Sequence, residues 1–165
     1  MKQNVFFIAD LHIGHKNILH HQKQRIDAMG LTDCNDIELH DKYIFDMWHS
    51  MVKRNDIVYV LGDFIMKNQE ETLKVLHILK KHGCKIHLIV GNHDKSSQKF
   101  DNMFESISLI KDVRFKKEMF DFLDDDFQVI MCHYPMKSWP NKCRGSLNMY
   151  GHIHDNSPWV DYETD

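Results

Sequence analysis

Residues 86–94 read IHLIVGNHD. An apolar run suited to a buried strand stops at Gly91 and presents an amide, an imidazole and a carboxylate in succession: Asn92, His93 and Asp94. Gly-Asn is a common turn pair because both residues tolerate positive φ, and His and Asp are ordinary in loops. The stretch therefore carries chemistry only if the rest of the chain supplies partners for these groups.

The totals set the frame. A chain of 165 residues, 42% apolar and 27% charged, has the composition of one globular domain spanning 1–165. No apolar run approaches the ~20 residues of a membrane-spanning helix, and the N-terminal MKQNVFFIAD reaches an acid too soon for a signal-peptide core. The net charge of −3 advertises no broad nucleic-acid contact. Four cysteines without a Cys-x-x-Cys pair weaken zinc-ribbon and thioredoxin readings and suit a reducing, cytoplasmic location. Thirteen histidines are the unusual total, since neutral imidazole is the commonest metal ligand.

Working outward from Gly91, the pattern predicts strands at Val5–Ala9, Ile57–Leu61 and Lys85–Val90. Between them lie a polar loop, a helix capped by Asn35 with Glu38 and running to about Arg54, and a second helix starting at Asn68 or Gln69 and closed by Gly83. Strand, helix, strand, helix, strand implies parallel strands with covering helices. Val113–Phe120 and Phe127–Cys132, separated by the acidic turn LDDD, suggest an antiparallel pair.

In open α/β sheets, functional groups gather beyond the carboxyl ends of the strands. The strands here end in Asp10-Leu11-His12, Gly62-Asp63, Gly91-Asn92-His93-Asp94, His133 and, after a short Leu147–Tyr150 run, Gly151-His152-Ile153-His154. In an extended segment Asp10 and His12 fall on the same side, as chelation requires. Every group is a nitrogen or oxygen ligand suited to Zn, Mn, Fe or Ni, and no thiol takes part. Singly, each motif also reads as a turn, a cap or a structural histidine.

Taken in order, Asp-x-His, Gly-Asp, Gly-Asn-His-Asp, His and Gly-His-x-His resemble the signature of the calcineurin-like metallophosphoesterases from Asp10 to His154. DLHIGHKNILHH and CHYPMKSWPNKCRGSLNMYGHIHD look like a compact bacterial and phage branch of that superfamily. The resemblance implies mixed β-sheets forming a β-sandwich flanked by helices, and a metal-dependent phosphoesterase acting on diesters or small nucleotide-like substrates. By the same resemblance, Asp10, His12, Asp63 and His154 would hold one divalent ion, and Asp63, Asn92, His133 and His152 a second. Manganese is the first choice, with Fe, Zn, Ni or Mg as alternatives. The ions would lower the pKa of a bridging water to supply hydroxide. His93 would contact the phosphoryl group and protonate the leaving oxygen, with Asp94 as a candidate to orient it.

Two departures limit the carry-over. The protein Ser/Thr phosphatases of the superfamily follow Gly-Asp with a second acid, where this chain has Met66 in GDFIMK. The eleven residues after His154 (155–165) leave no room for a cap domain, so an open site is expected. His15 and Arg144 are candidates for phosphate contact, and Tyr134 and Trp139 for base stacking or loop packing. A nuclease of the same fold acting on short oligonucleotides, and a protein-binding scaffold with a silent metal site, are the competing readings.

Overall fold

The computed structural model describes residues 3–120 and 124–154. Strands β1 (Val5–Ile8), β2 (Ile57–Val60), β3 (Lys85–Ile89) and β4 (Ser106–Ser108) form a sheet in that order, all parallel. A second sheet holds β5 (Ile110–Phe115), β6 (Phe127–Cys132) and β7 (Leu147–Met149), with β5 antiparallel and β7 parallel to β6.

Alternation along the strands builds two cores, because successive side chains point to opposite faces. One face of the first sheet carries Val58, Val60, Ile86 and Leu88, which pack with Phe6 and Ile8 against helices α3 (Ile37–Met51) and α4 (Gln69–Leu79). Trp48 closes this layer by donating its indole N–H to the Leu79 carbonyl at 3.0 Å. The opposite face carries Phe7, Tyr59, Leu61 and Ile89 and meets Phe115, Val129 and Met131 of the second sheet. Phe7 stacks on Tyr59 with centroids 5.4 Å apart, and both present their rings to Phe115 edge-on. The layers are therefore helices, parallel sheet, mixed sheet.

Several expectations shift. The first strand ends at Ile8, one residue short of the expected Ala9, and is an edge strand, half-buried throughout. The loop after it contains two short helices, α1 (Ile18–His21) and α2 (Gln24–Met29). Helix α3 starts after Asp36 without a side-chain cap: Asn35 Oδ1, the acceptor expected to cap it, lies 3.3 Å from His20 Nε2, while the Asn35 amide N–H donates to Asp33. Asn68 does cap α4, accepting the Glu71 N–H at 2.9 Å and donating to its carboxylate. Helix α4 ends at Leu79, and Gly83 belongs to the following turn, where its carbonyl accepts the Asn55 N–H. The Val113 strand begins at Ile110 and stops at Phe115. The LDDD turn lies partly outside the described residues, with Asp126 paired to Lys116 at 2.7 Å.

Phe115 is 2% exposed at the junction of the two sheets. Phe115→Ala is expected to lower stability by about 3–5 kcal/mol, read as a shift in the urea midpoint. A loss under about 1 kcal/mol would contradict this packing.

Candidate metal centre

The loops beyond the strand ends are zipped together by backbone bonds. Past β1, the N–H groups of Asp10, His12 and Ile13 donate to the carbonyls of Gly62, Asp63 and Phe64 at 3.1, 2.9 and 3.0 Å. The Gly151 N–H donates to the His133 carbonyl at 3.0 Å, joining the two loops of the second sheet. Asp10 crosses between the sheets, taking the His152 N–H on both carboxylate oxygens at 3.1 and 3.0 Å.

These ties bring the predicted ligands into two groups. Ligand atoms of Asp10, His12 and His154 lie within 4.8 Å of one another, as do those of Asp63, His133 and His152. Asp63 links the groups: its Oδ2 is 3.8 Å from His12 Nε2 and 3.5 Å from His133 Nε2. Asn92 Oδ1 completes the second group, 3.2 Å from His133 Nε2.

Protonation suits a cation. His133 Nδ1 lies 2.8 Å from the Leu61 carbonyl, a partner that can only accept, so Nδ1 carries a proton. The other ring nitrogen then faces only acceptors, Asp63 and Asn92, which is favourable when a proton or a metal ion lies among them. Burial alone would lower the His133 pKa, but Asp63 and the Leu61 carbonyl outweigh it and raise it. Burial holds His12 down at about 3 against the pull of Asp63, so its ring is an available lone pair at neutral pH. Burial likewise lowers His154 and raises Asp10. Burial would also raise Asp63, but the His133 ring and the His93 N–H hold it at about 2.

The local backbone departs from the extended geometry expected of Asp10-x-His12. Asp10 and His12 have φ of 54° and 51°, and Asp63, His152 and His154 share this left-handed region. Such conformations in residues other than glycine persist when the surroundings over-determine them. Gly91 is required for space rather than for positive φ: a Cβ there would meet Asp63 Oδ1 at 2.4 Å and the Asp63 nitrogen at 2.6 Å. Its counterpart Gly62 does use positive φ, 86°, and a Cβ there would strike His133 Nδ1 at 2.3 Å.

Asp94 is reassigned. It is fully buried, with Oδ2 accepting the N–H groups of Gly91 (2.8 Å) and Asp63 (2.9 Å) and Oδ1 that of Phe64 (2.9 Å). Its carboxylate serves these amides and does not orient the His93 ring. His93 is exposed, donates its backbone N–H to Asp63 Oδ1 at 3.0 Å, and has its ring 5.8 Å from that of His12. His15 joins this side, its ring 5.3 Å from His12, 6.2 Å from His93 and 6.0 Å from His21, a neighbour that sequence reading missed. Burial, then His93 and His21, lower the His15 pKa.

Arg144 lies on an exposed turn at Lys142–Arg144, with no hydrogen bond, ion pair or ring contact to the ligand groups. Tyr134 does sit at the site, its ring 4.6 Å from His152 and 5.0 Å from His133. Trp139 is loop packing, donating to the Ser146 carbonyl at 3.0 Å. Met66, at the position where an acid was lacking, places its sulfur 3.3 Å from His12 Nδ1, a weak acceptor for that ring.

No family model matches the chain. It is 25% identical to the Gene 66 protein of Mycobacterium phage L5 over 95% of its own length and 79% of that protein. The Gene 66 protein of Mycobacterium phage D29 is 24% identical, over 92% of this chain and 78% of its own. An uncharacterized protein of Methanocaldococcus jannaschii is 30% identical over 59% of this chain and 51% of its own. The crystal structure of a protein of unknown function from Aquifex aeolicus superposes with a TM-score of 0.60 at 22% identity, covering 91% of this chain and 78% of that one. This last similarity shows the fold, α/β with parallel and mixed sheets flanked by helices. Among the described residues no helix is long and apolar enough to cross a membrane.

Two outcomes follow from the geometry. Gly91→Ala is expected to displace Asp63 and lower stability by about 1–3 kcal/mol in urea denaturation; unchanged stability would contradict the close approach. A proton on His133 competes with a cation for the same nitrogen, so divalent-ion affinity in equilibrium dialysis is expected to rise as pH passes upward through 6.5, the ordinary imidazole value. In the chelated protein the raised pKa acts oppositely: its stabilisation is complete below 6.5 and is lost as pH climbs through the folded value. Affinity that stayed flat or fell across 6.5 would contradict the assignment.

Proposed function

We propose that this chain is a metal-dependent phosphoesterase of the calcineurin-like superfamily, acting on phosphodiesters or small nucleotide-like substrates through two divalent ions, manganese first among them. The observation that carries the reading is Asp63 Oδ2 lying between the imidazoles of His12 and His133, at 3.8 and 3.5 Å, with the remaining predicted ligands around them. Asp10, His12, Asp63 and His154 would hold one ion, and Asp63, Asn92, His133 and His152 the other. Bound there, the ions would supply Lewis-acid chemistry, neutralising phosphoryl oxygens and acidifying a water.

The chain's own groups do the rest. Hydrolysis forms a bond from water oxygen to phosphorus and breaks the ester P–O bond, and the departing oxygen needs a proton. His93 is placed to give it: its backbone is fixed by Asp63, and its side chain is exposed beside the ligand groups. An imidazole N–H in that role contributes about 10²- to 10⁴-fold. His15, beside His93, is the nearest further donor for a phosphoryl oxygen. Tyr134, 45% exposed over His133 and His152, offers a face on which a base or other planar leaving group can rest. Structural zinc suits the site poorly, because such centres are closed and rich in thiolate.

The test is hydrolysis of bis(p-nitrophenyl) phosphate and its monoester by manganese-loaded protein, beside Asp63→Asn and His93→Ala. Diester turnover that disappears in Asp63→Asn is expected, with His93→Ala keeping its metal while kcat falls about 10²- to 10⁴-fold. Metal-loaded protein with no turnover of either ester that depends on Asp63 would overturn the reading in favour of a scaffold.

A further inference from the structure

Two buried residues of α3, His40 and Asp41, and the half-buried Arg25 form a chain of contacts that the two-ion reading does not use. Arg25, in α2, donates from Nη2 to the Asp10 carbonyl at 2.6 Å. Its Nη1 lies 3.3 Å from Nε2 of His40, a residue of α3 that is completely buried. A guanidinium cannot accept, so His40 Nε2 is the acceptor and the ring proton sits on Nδ1. Nδ1 then donates to Asp41 Oδ1 at 3.1 Å, and the same oxygen takes the Gly14 N–H at 2.9 Å. Lys67 lies 3.5 Å from the other Asp41 oxygen, and Gln22 accepts from Arg25 Nε.

The two ends of this chain grip the two ends of one loop. Arg25 holds the carbonyl of Asp10, Asp41 holds the amide of Gly14, and His40 sets the distance between them. Inside the grip lies His12, and both ligand residues of the loop, Asp10 and His12, have positive φ. Buried ionic groups are weak contributors to stability, since apolar replacements are often neutral or better. Their placement across the loop is better explained by geometry than by stability.

We propose that Arg25, His40 and Asp41 are positioning residues, a brace that holds Asp10 and His12 in the arrangement needed by the ion they share with His154. The proposal rests on the two-ion reading and adds that the two ions depend on different supports. The second group is held elsewhere, His133 by the Leu61 carbonyl and Asp63 by its backbone contact with Asp94. Loosening the brace therefore weakens one ion and spares the other.

The experiment is manganese binding by equilibrium dialysis with electron paramagnetic resonance, on the full chain and on Arg25→Met, His40→Leu and His40→Gln, each checked for folding by its urea midpoint. Wild-type protein is expected to bind two ions per chain. Arg25→Met, which changes a partly exposed side chain, is expected to bind one of them about 10- to 100-fold more weakly. At limiting metal it should then show the six-line signal of an isolated ion. His40→Leu should behave the same way, whereas His40→Gln, which keeps an acceptor and a donor, should retain both. Wild-type affinity for both ions in Arg25→Met, equal weakening of both, or identical behaviour of the Leu and Gln variants would overturn the brace. A wild-type chain binding fewer than two ions would overturn the two-ion reading itself, and the brace with it.

Discussion

The carboxylate of Asp94 ties the ends of two parallel strands to each other, and the arrangement of the site depends on that tie. Its oxygens collect the amides of Gly91, just past β3, and of Asp63 and Phe64, just past β2. A buried carboxylate is costly unless hydrogen-bonded, and here three backbone donors answer it. The exchange fixes the loop of one strand against the loop of the next. The absence of a side chain on Gly91 lets them approach, and the His93 amide returns to Asp63 from the other side. Asp63 is thereby held with one oxygen on a backbone donor and the other turned toward His12 and His133.

From that anchor the remaining candidate ligands are placed in pairs of contacts. His133 reaches Asp63 from the second sheet because β6 packs against the first sheet through Val129 and Met131. Asp10 reaches back across the sheets to the His152 amide. Acceptors thus face one another at separations where only a proton or a cation makes the cluster favourable, and the raised pKa of His133 is the proton's version of that answer. Asp10, His12, Asp63, His152 and His154 all take left-handed backbone in this cluster.

The sequence made the parallel sheet and its two long helices legible because apolar runs and helical spacing report burial directly. It was less informative where burial is partial or local. Helix α2 has no buried residue and α1 has only four residues, so neither leaves a periodic signal. Strand β4 is Ser-Ile-Ser, too short and too polar to stand out. The candidate ligand residues were readable from their types and order, and the structure brings all seven side by side. The job of Asp94 was not, because adjacency suggested a role for it beside His93, while two of its three amide partners lie some thirty residues away. The reason for Gly91 was half legible: the turn was expected, but the steric demand comes from Asp63. Nothing local in LHDK marked His40 as a partner of Arg25 or Asp41 as a partner of Gly14, since those contacts exist only once α3 packs beside the Asp10 loop.

The most direct measurement is anomalous scattering from a crystal of the manganese-loaded protein. The account predicts two peaks about 3.5–4 Å apart, with Asp63 between them, Asp10, His12 and His154 on one, and Asn92, His133 and His152 on the other. A single peak, or ions bound away from Asp63, would contradict it.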